Sequence, residues 1–383
     1  MFKYDKLGVQ RYCFILKYAK KVVLLQKIVL INMKRVISLL SIVLGLFSCV
    51  EVKSNLNFAT ADSIINASIA DSIIPGAVLC VVDDAQIVYL NAYGYRRVYP
   101  YQDTMTINTI FDLASLTKPI GAGSAALMLS HSGLLDVDTP VETYIPGYHK
   151  DVTVRHLLTH YSGLPAYMGA ARLDSICFAQ GIQDKAAYMI DTIARCARTN
   201  AAGEKYRYSC LNFISLQKVV ESIVGIDINA YLRSTLYADL GLTSVGWLPS
   251  ESLLEDIAPT ECLDSVCLHG EVHDPLARMI MNGVSGNAGL FATAEDVAKW
   301  SIWFMQLPPE VRENGCQAGL WTDTVSTSYG EQQRCRHTGY TGTSVTIMPQ
   351  LGRAVILLTN RVHPKDEHSL GDLRSKLNEW LIP

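Results

Sequence analysis

Residues 111–119 read Phe111-Asp112-Leu113-Ala114-Ser115-Leu116-Thr117-Lys118-Pro119. Ser115 and Lys118 make a Ser-x-x-Lys step, and on a helix residues three apart share a face, so a hydroxyl and an amine can touch. Pro119 is tolerated only in a first helical turn. That places Ser115 at a helix N-terminus, where free backbone N–H groups and the dipole favour developing negative charge. Alone the step is weak, since a chain of this length contains about one by chance. A second, Ser215-Leu216-Gln217-Lys218, lies inside an amphipathic stretch without a start signal and reads as an ordinary helix face. Ser115 needs support from other segments.

Outward from this stretch, Gly76 to Val82 and Ile87 to Ala92 are β-rich runs around Asp83-Asp84, a hairpin signal opening the folded part. From Ser115 to about Trp303 the pattern is mostly helical, with Ala186 to Ala197, Leu211 to Ile223 and Ala294 to Met305 carrying apolar residues at three- and four-residue spacing. Strand character returns in Ser344 to Met348 and Ala354 to Thr359 around Pro349-Gln350-Leu351-Gly352, and Leu373 to Leu381 reads as a closing helix. The expected fold is of the α/β (α+β) class: one antiparallel sheet built from both chain ends, flanked by helices, with a mostly helical subdomain inserted. There is no internal repeat and no low-complexity segment.

Two further segments carry a resemblance. Tyr208-Ser209-Cys210 and His337-Thr338-Gly339 follow Ser115 and Lys118 in order. The chain resembles the penicillin-recognising serine hydrolases of the class C β-lactamase type, which show Ser-x-x-Lys, then Tyr-x-Asn, then a Lys/His-Thr-Gly triplet on a sheet-edge strand. Residues 156–165, His-Leu-Leu-Thr-His-Tyr-Ser-Gly-Leu-Pro, and 289–296, Gly-Leu-Phe-Ala-Thr-Ala-Glu-Asp, are similar to family landmarks, so the likeness covers about residues 57–382.

The resemblance implies a β-lactamase-like fold and an acyl-enzyme on Ser115. A serine hydroxyl is a poor nucleophile until a base takes its proton, and Lys118 and Tyr208 are both candidates: a phenolate stabilised by an ammonium, or an amine whose pKa burial lowers. It also implies an oxyanion hole from the backbone N–H groups of Ser115 and Tyr340, substrate contacts from Cys210, His337, Thr338 and Gly339, and no cofactor. Two departures stand out. Cys210 replaces the family's Asn, and a thiol is a weak donor and acceptor. His337 replaces a lysine that holds the β-lactam carboxylate, and an imidazole with an ordinary pKa near 6.5 is mostly neutral at pH 7. The first departure weakens recognition of a substrate amide; the second points toward esters or D-amino-acid-containing peptides, peptidoglycan-type or related, with weak β-lactamase activity at best. The competing expectation is a binding protein with the fold and little turnover.

The chain has 383 residues, 49% hydrophobic and 18% charged, which excludes intrinsic disorder. Its net charge of -3 hides an asymmetry, because residues 1–48 hold nine Lys or Arg against the single acid Asp5. The remainder is acidic and lacks the basic stripe that phosphate backbones demand, so nucleic acid is excluded as a partner. A small-molecule or peptide substrate is expected.

Met33-Lys34-Arg35, the apolar run Val36 to Phe47 and Ser48-Cys49 have the form of a secretory signal peptide, too short to span a bilayer. Leu46-Phe47-Ser48-Cys49 resembles a bacterial lipobox, so Cys49 is the expected lipidation site and membrane attachment point. The expected organisation is upstream residues and signal peptide over 1–48 with Met33 as the start, a linker over 49–56, and the hydrolase domain over 57–383.

Export permits disulfides. Cys177 with Cys196, Cys262 with Cys267, and Cys316 with Cys335 are the local pairs, and Cys80 reads as a buried thiol. Cys262, Cys267, His269 and His273 have zinc-like spacing but read as a disulfide and a cleft loop, so no metal is expected. His156 and His160 read as a polar helix edge. Gly121 to Ala126 resembles a dinucleotide fingerprint but follows a helix start, so close packing explains it. No Gly-x-Ser-x-Gly elbow occurs.

Overall fold

The computed structural model describes residues 56–382. Expectations placed on residues 1–55, including the signal peptide, Cys49 and nearly all of the linker, lie outside the described residues. The helices that frame the site are α1 (Phe58–Ala70), α2 (Ser124–His131), α3 (Cys210–Val224), α4 (Ala294–Gln306) and α5 (Gly371–Leu381).

Strands β1 (Gly76–Asp83), β2 (Gln86–Arg97), β3 (Asp103–Thr104), β4 (Trp321–Thr327), β5 (Gly330–Thr338), β6 (Ser344–Met348) and β7 (Arg353–Thr359) form one antiparallel sheet in the order β3-β2-β1-β7-β6-β5-β4. The junction of the two chain ends is the β1–β7 pair, with Val78 opposite Leu358 and Cys80 opposite Ile356. Every residue of both strands is buried. A sheet covered on both faces calls for continuous apolar runs, and the period of two then sorts them. Ala77, Leu79, Val81, Val355 and Leu357 pack with Ala61 and Ile65 of α1 and with Leu373, Leu377 and Leu381 of α5. Val78, Cys80, Val82, Ala354, Ile356 and Leu358 join Ala294, Val297 and Ala298 of α4 in the main core. Each such Leu, Ile or Val contributes about 1.5–3 kcal/mol by leaving water.

The inserted part, between β3 and β4, is largely helical. Its centre is α3, capped by the Ser209 side chain accepting from the Leu211 N–H and ended by Gly225 at φ 72°. Ser215 is fully buried on it, within 2.9 Å of the Tyr148 hydroxyl, while Lys218 is exposed. The second Ser-x-x-Lys is therefore a packing face.

Three expectations need correction. A helix, α1, precedes the hairpin that was expected to open the domain; its fully buried residues are Ala61 and Ile65, with Phe58, Ile64 and Ile69 packed beside them. The β4–β5 hairpin was not foreseen because its residues are largely polar; Asp323 links Arg334 and Arg336 across it. As a result β5, which carries His337, lies one strand in from the sheet edge. Among the described residues only Cys262–Cys267 forms a disulfide, while Cys177, Cys196, Cys316 and Cys335 are free thiols. Cys316 meets the Arg155 guanidinium at 3.4 Å, and Cys335 lies 4.0 Å from the Gln317 side-chain oxygen. Cys80 is a buried thiol, pushed up to about 12 by burial.

Candidate active site

The nucleophile segment begins at the two-residue strand Phe111–Asp112, paired with Phe291–Ala292. The Asp112 carboxylate is buried and accepts from the Ala114 N–H at 2.8 Å and the His273 N–H at 2.7 Å. Burial raises its pKa, and the two N–H bonds oppose that rise. The turn forces Ala114 to φ 45°, a costly conformation for a residue with a Cβ. Ser115 follows in a short 3-10 turn, Ala114–Leu116, and Lys118–Gly123 continues as a π-helical turn before α2 begins. The expected single helix start is thus three helix types in succession. Pro119 fits because it sits in the first turn of its segment.

The hydroxyl and amine do meet. Lys118 Nζ donates to Ser115 Oγ at 2.9 Å and to the carbonyl of Asn287 at 2.9 Å. Tyr208 donates to the same Ser115 Oγ at 2.9 Å, and its ring lies 5.0 Å from Nζ. Burial alone would push the Lys118 amine down, but negative charge at Cys210, Tyr208 and Asp274 and the hydrogen bond to Tyr208 outweigh it, so the net direction is upward. Lys118 is therefore an ammonium at neutral pH, aimed at a hydroxyl shared with a phenol.

The end of β5 presses on this segment from the other side. A Cβ at Gly339 would lie 2.0 Å from Thr343 Oγ1 and 2.5 Å from the Leu113 carbonyl. Thr341 and Thr343 donate to the carbonyls of Asp112 and Leu113 at 2.7 and 2.9 Å. Tyr340 is thereby held beside Ser115 on the wall of one cavity of about 450 Å³, which Ala114, Tyr167, Cys210, His273 and Ala288 also line. Three carboxylates, Glu261, Asp274 and Asp366, line it, the last paired with Arg361, and among the described residues no arginine or lysine lines it. A larger cavity of about 560 Å³, between residues 184–194 and the far half of α3, contains neither Ser115 nor Tyr208.

His337 is fully buried beside the cavity, stacked on Trp321 with centroids 4.5 Å apart and 6.2 Å from the Tyr208 ring. Burial, with Lys118 and His160 nearby, holds it well below the ordinary histidine value. Thr338 is half-buried and Cys210 begins α3. His156 and His160 serve different purposes. His156 completes a capping box with Thr153, while buried His160 accepts through Nδ1 from the Ser209 N–H and the Asn212 amide and lies 4.6 Å from the Tyr208 ring. Burial, aided by Lys118, lowers its pKa to about 3.

The zinc-like quartet is dispersed. Cys262 and Cys267 are bonded to each other, His269 Nε2 lies 3.0 Å from the Ile257 carbonyl, and His273 Nε2 lies 3.1 Å from Glu261. Gly121 and Gly123 allow close packing, since Cβ atoms there would meet Trp247 at 2.9 Å and the Ala318 carbonyl at 1.9 Å. The loop Val272-His273-Asp274-Pro275, read as lining the cleft, does so through His273, Asp274 and Pro275. The residues that sequence reasoning missed are Asp112, Asn287 and Tyr167, which reach the site through backbone or long-range contacts.

Comparison with known proteins agrees with this geometry. The family described as Beta-lactamase matches residues 61–378. A Bacillus subtilis (strain 168) protein named N-acetylmuramyl-L-alanine amidase is 30% identical over 349 residues, covering 76% of this chain and 78% of that one. Among solved structures, a β-lactamase/D-alanine carboxypeptidase from Yersinia pestis superposes with TM-score 0.63 at 16% identity, covering 85% of this chain and 98% of that one. A hydrolase with promiscuous acyltransferase activity, EstCE1, superposes with TM-score 0.66 at 19% identity, covering 84% and 97%. At these identities the structures speak for the fold.

Proposed function

We propose, given that this chain belongs to the β-lactamase family of serine hydrolases, that it forms an acyl-enzyme on Ser115 and turns over esters or D-amino-acid-containing peptides. The observation that carries this reading is the convergence of Lys118 Nζ and the Tyr208 hydroxyl on one serine oxygen at the cavity wall.

The role of proton acceptor is assigned to Tyr208, which shares Ser115 Oγ with Lys118 and would act as a phenolate supported by the adjacent ammonium, because the Lys118 amine is raised above its ordinary value and is the poorer free base. Ser115 Oγ attacks the substrate carbonyl carbon as its proton passes to the phenolate. The N–H groups of Ser115 and Tyr340 stabilise the oxyanion, and Tyr208 returns the proton to the leaving group. Water then attacks the acyl-serine by the reverse proton path.

The lining supports the substrate class. Glu261 and Asp274 line the cavity where, among the described residues, no arginine or lysine does, which disfavours an anionic β-lactam, and His337, buried and neutral, supplies no fixed charge for its carboxylate. Cys210 favours a second reading, a binding protein with little turnover, because a thiol orients a substrate amide poorly. Labelling with a fluorophosphonate or a fluorescent penicillin, followed by mass spectrometry and an ester assay, separates the readings. An adduct on Ser115, lost in Ser115→Ala, together with multiple turnovers supports the hydrolase. A stoichiometric adduct without turnover supports the binder, and an adduct on Ser215 would sink both.

Export and membrane attachment through Cys49 are proposed from the lipobox-like Leu46-Phe47-Ser48-Cys49. Incorporation of a lipid label should disappear in Cys49→Ala; equal labelling of both proteins refutes it.

A further inference from the structure

The backbone amide of Tyr340 belongs to the peptide unit whose carbonyl is that of Gly339. That carbonyl accepts from Arg374 Nη2 at 2.9 Å, and the same nitrogen donates to the Thr343 carbonyl at 2.9 Å. Arg374 stands in the first turn of α5, which is anchored to the sheet by the buried Leu373, Leu377 and Leu381. Among the described residues it has no carboxylate within ion-pair distance, and its buried Nε has no partner. Burial and the nearby Arg361 lower it to about 10, so it still carries its charge at neutral pH. An arginine on a surface helix ordinarily faces water or an acid. This one directs its charge at two carbonyls of the loop beside Ser115.

We propose that Arg374 is a positioning residue for the oxyanion hole: it clamps the Gly339–Thr343 loop at both ends and polarises the peptide that carries the Tyr340 N–H. Amide resonance links the two ends of a peptide unit, so a cationic donor on the carbonyl oxygen draws electron density from nitrogen and strengthens the N–H as a donor. The clamp closes a loop already joined by the Gly339 N–H on the Thr343 carbonyl at 2.7 Å. Arg361 makes an instructive contrast. Its Nε donates to the Tyr340 carbonyl at 3.1 Å, and it also pairs with Asp366. The Tyr340 carbonyl belongs to the next peptide unit, so Arg361 restrains the loop without polarising that N–H. The inference rests on the reading of Ser115 and Tyr340 as the oxyanion hole.

The test uses the full chain, a nitrophenyl ester, an arylboronic acid that forms a tetrahedral adduct on the serine, and the infrared carbonyl stretch of the acyl-enzyme. Loss of a whole oxyanion donor costs about 10²–10³, so weakening one should cost about tenfold. Arg374→Met should lower acylation kcat/KM and boronate affinity by the same factor and raise the ester carbonyl frequency. Arg374→Lys should recover part of each, and Arg361→Met should move the frequency less. If Arg374→Met fails to melt cooperatively, Arg374→Lys and Arg374→Gln are compared instead. Unchanged boronate affinity and carbonyl frequency in a folded variant would overturn the inference. So would an equal frequency shift in Arg361→Met. Undiminished boronate binding and esterase activity in Ser115→Ala would instead remove the oxyanion-hole reading beneath it.

Discussion

The Lys118 ammonium and the backbone carbonyl of Asn287 lie 2.9 Å apart across 169 residues of chain. That contact occupies one of the lysine's three donors, and a second reaches Ser115. The Tyr208 phenol lies on the remaining side. A backbone carbonyl at this point accepts a stronger hydrogen bond from the charged form than from the neutral amine, so it favours ammonium over amine.

In the proposed mechanism, removing that ammonium leaves the Tyr208 phenolate unsupported. Lys118→Ala should lower ester kcat/KM by about 10²–10⁴, the range for losing an acid or base. Lys118→Met, which keeps the volume, should lose as much. Steady-state rates on a nitrophenyl ester check this, and wild-type activity in either variant rejects the role.

Gly339 is required by space. An added Cβ would lie 2.0 Å from Thr343 Oγ1 and 2.5 Å from the Leu113 carbonyl, so Gly339→Ala must push β5 away from the nucleophile segment. Overpacking of this kind costs about 1–3 kcal/mol of stability. Its larger effect should be on kcat, by about a hundredfold. Calorimetry with burst kinetics checks both, and a variant with unchanged kcat counts against Tyr340 lying beside the reacting oxygen.

Asp274 lines the cavity, caps the short helix Pro275–Met279 through the Ala277 N–H and accepts from the Tyr167 hydroxyl. Asn can keep the cap while removing the charge. Asp274→Asn should therefore raise nitrocefin kcat/KM about three- to tenfold, the scale of one partly screened charge at this range. The value for a neutral nitrophenyl ester should change less. Equal effects on both substrates would show that cavity charge does not select against β-lactams.

His160 should make stability pH-dependent. Its pKa falls from the ordinary 6.5 to about 3 on folding, so between those values the unfolded chain binds the additional proton. The stabilisation is fully present above pH 6.5 and is lost as pH falls toward 3, with a limiting slope of about 1.4 kcal/mol per pH unit. Denaturant titrations of wild type and His160→Gln between pH 7 and 4.5 check this: the variant should show a shallower slope, by up to one proton. Parallel curves would mean that His160 is not buried neutral.

Much of this molecule is legible in order and period alone. The apolar runs Ala77 to Val82 of β1 and Ala354 to Leu358 of β7 read as strands, the spacing in Leu211 to Ile223 marked α3, and Ser115, Lys118 and Tyr208 with His337-Thr338-Gly339 and the landmark segments fell in an order specific enough to name the family. Those features are local, since hydrophobic periodicity and helix-start chemistry act over a few residues. What the sequence left open was settled by contacts between distant segments. Burial pulls the Lys118 amine toward neutrality, but Cys210, Tyr208 and Asp274, at least 90 residues away along the chain, hold it as an ammonium. The polar β4–β5 hairpin acquires its place from Asp323 and its arginines, and it moves His337 off the sheet edge and beneath Trp321. Cys316 and Cys335 are separate thiols, the first against Arg155 and the second near Gln317. Protonation state, strand position and cysteine pairing all depend on which groups converge in space, and convergence is a property of the packed chain alone.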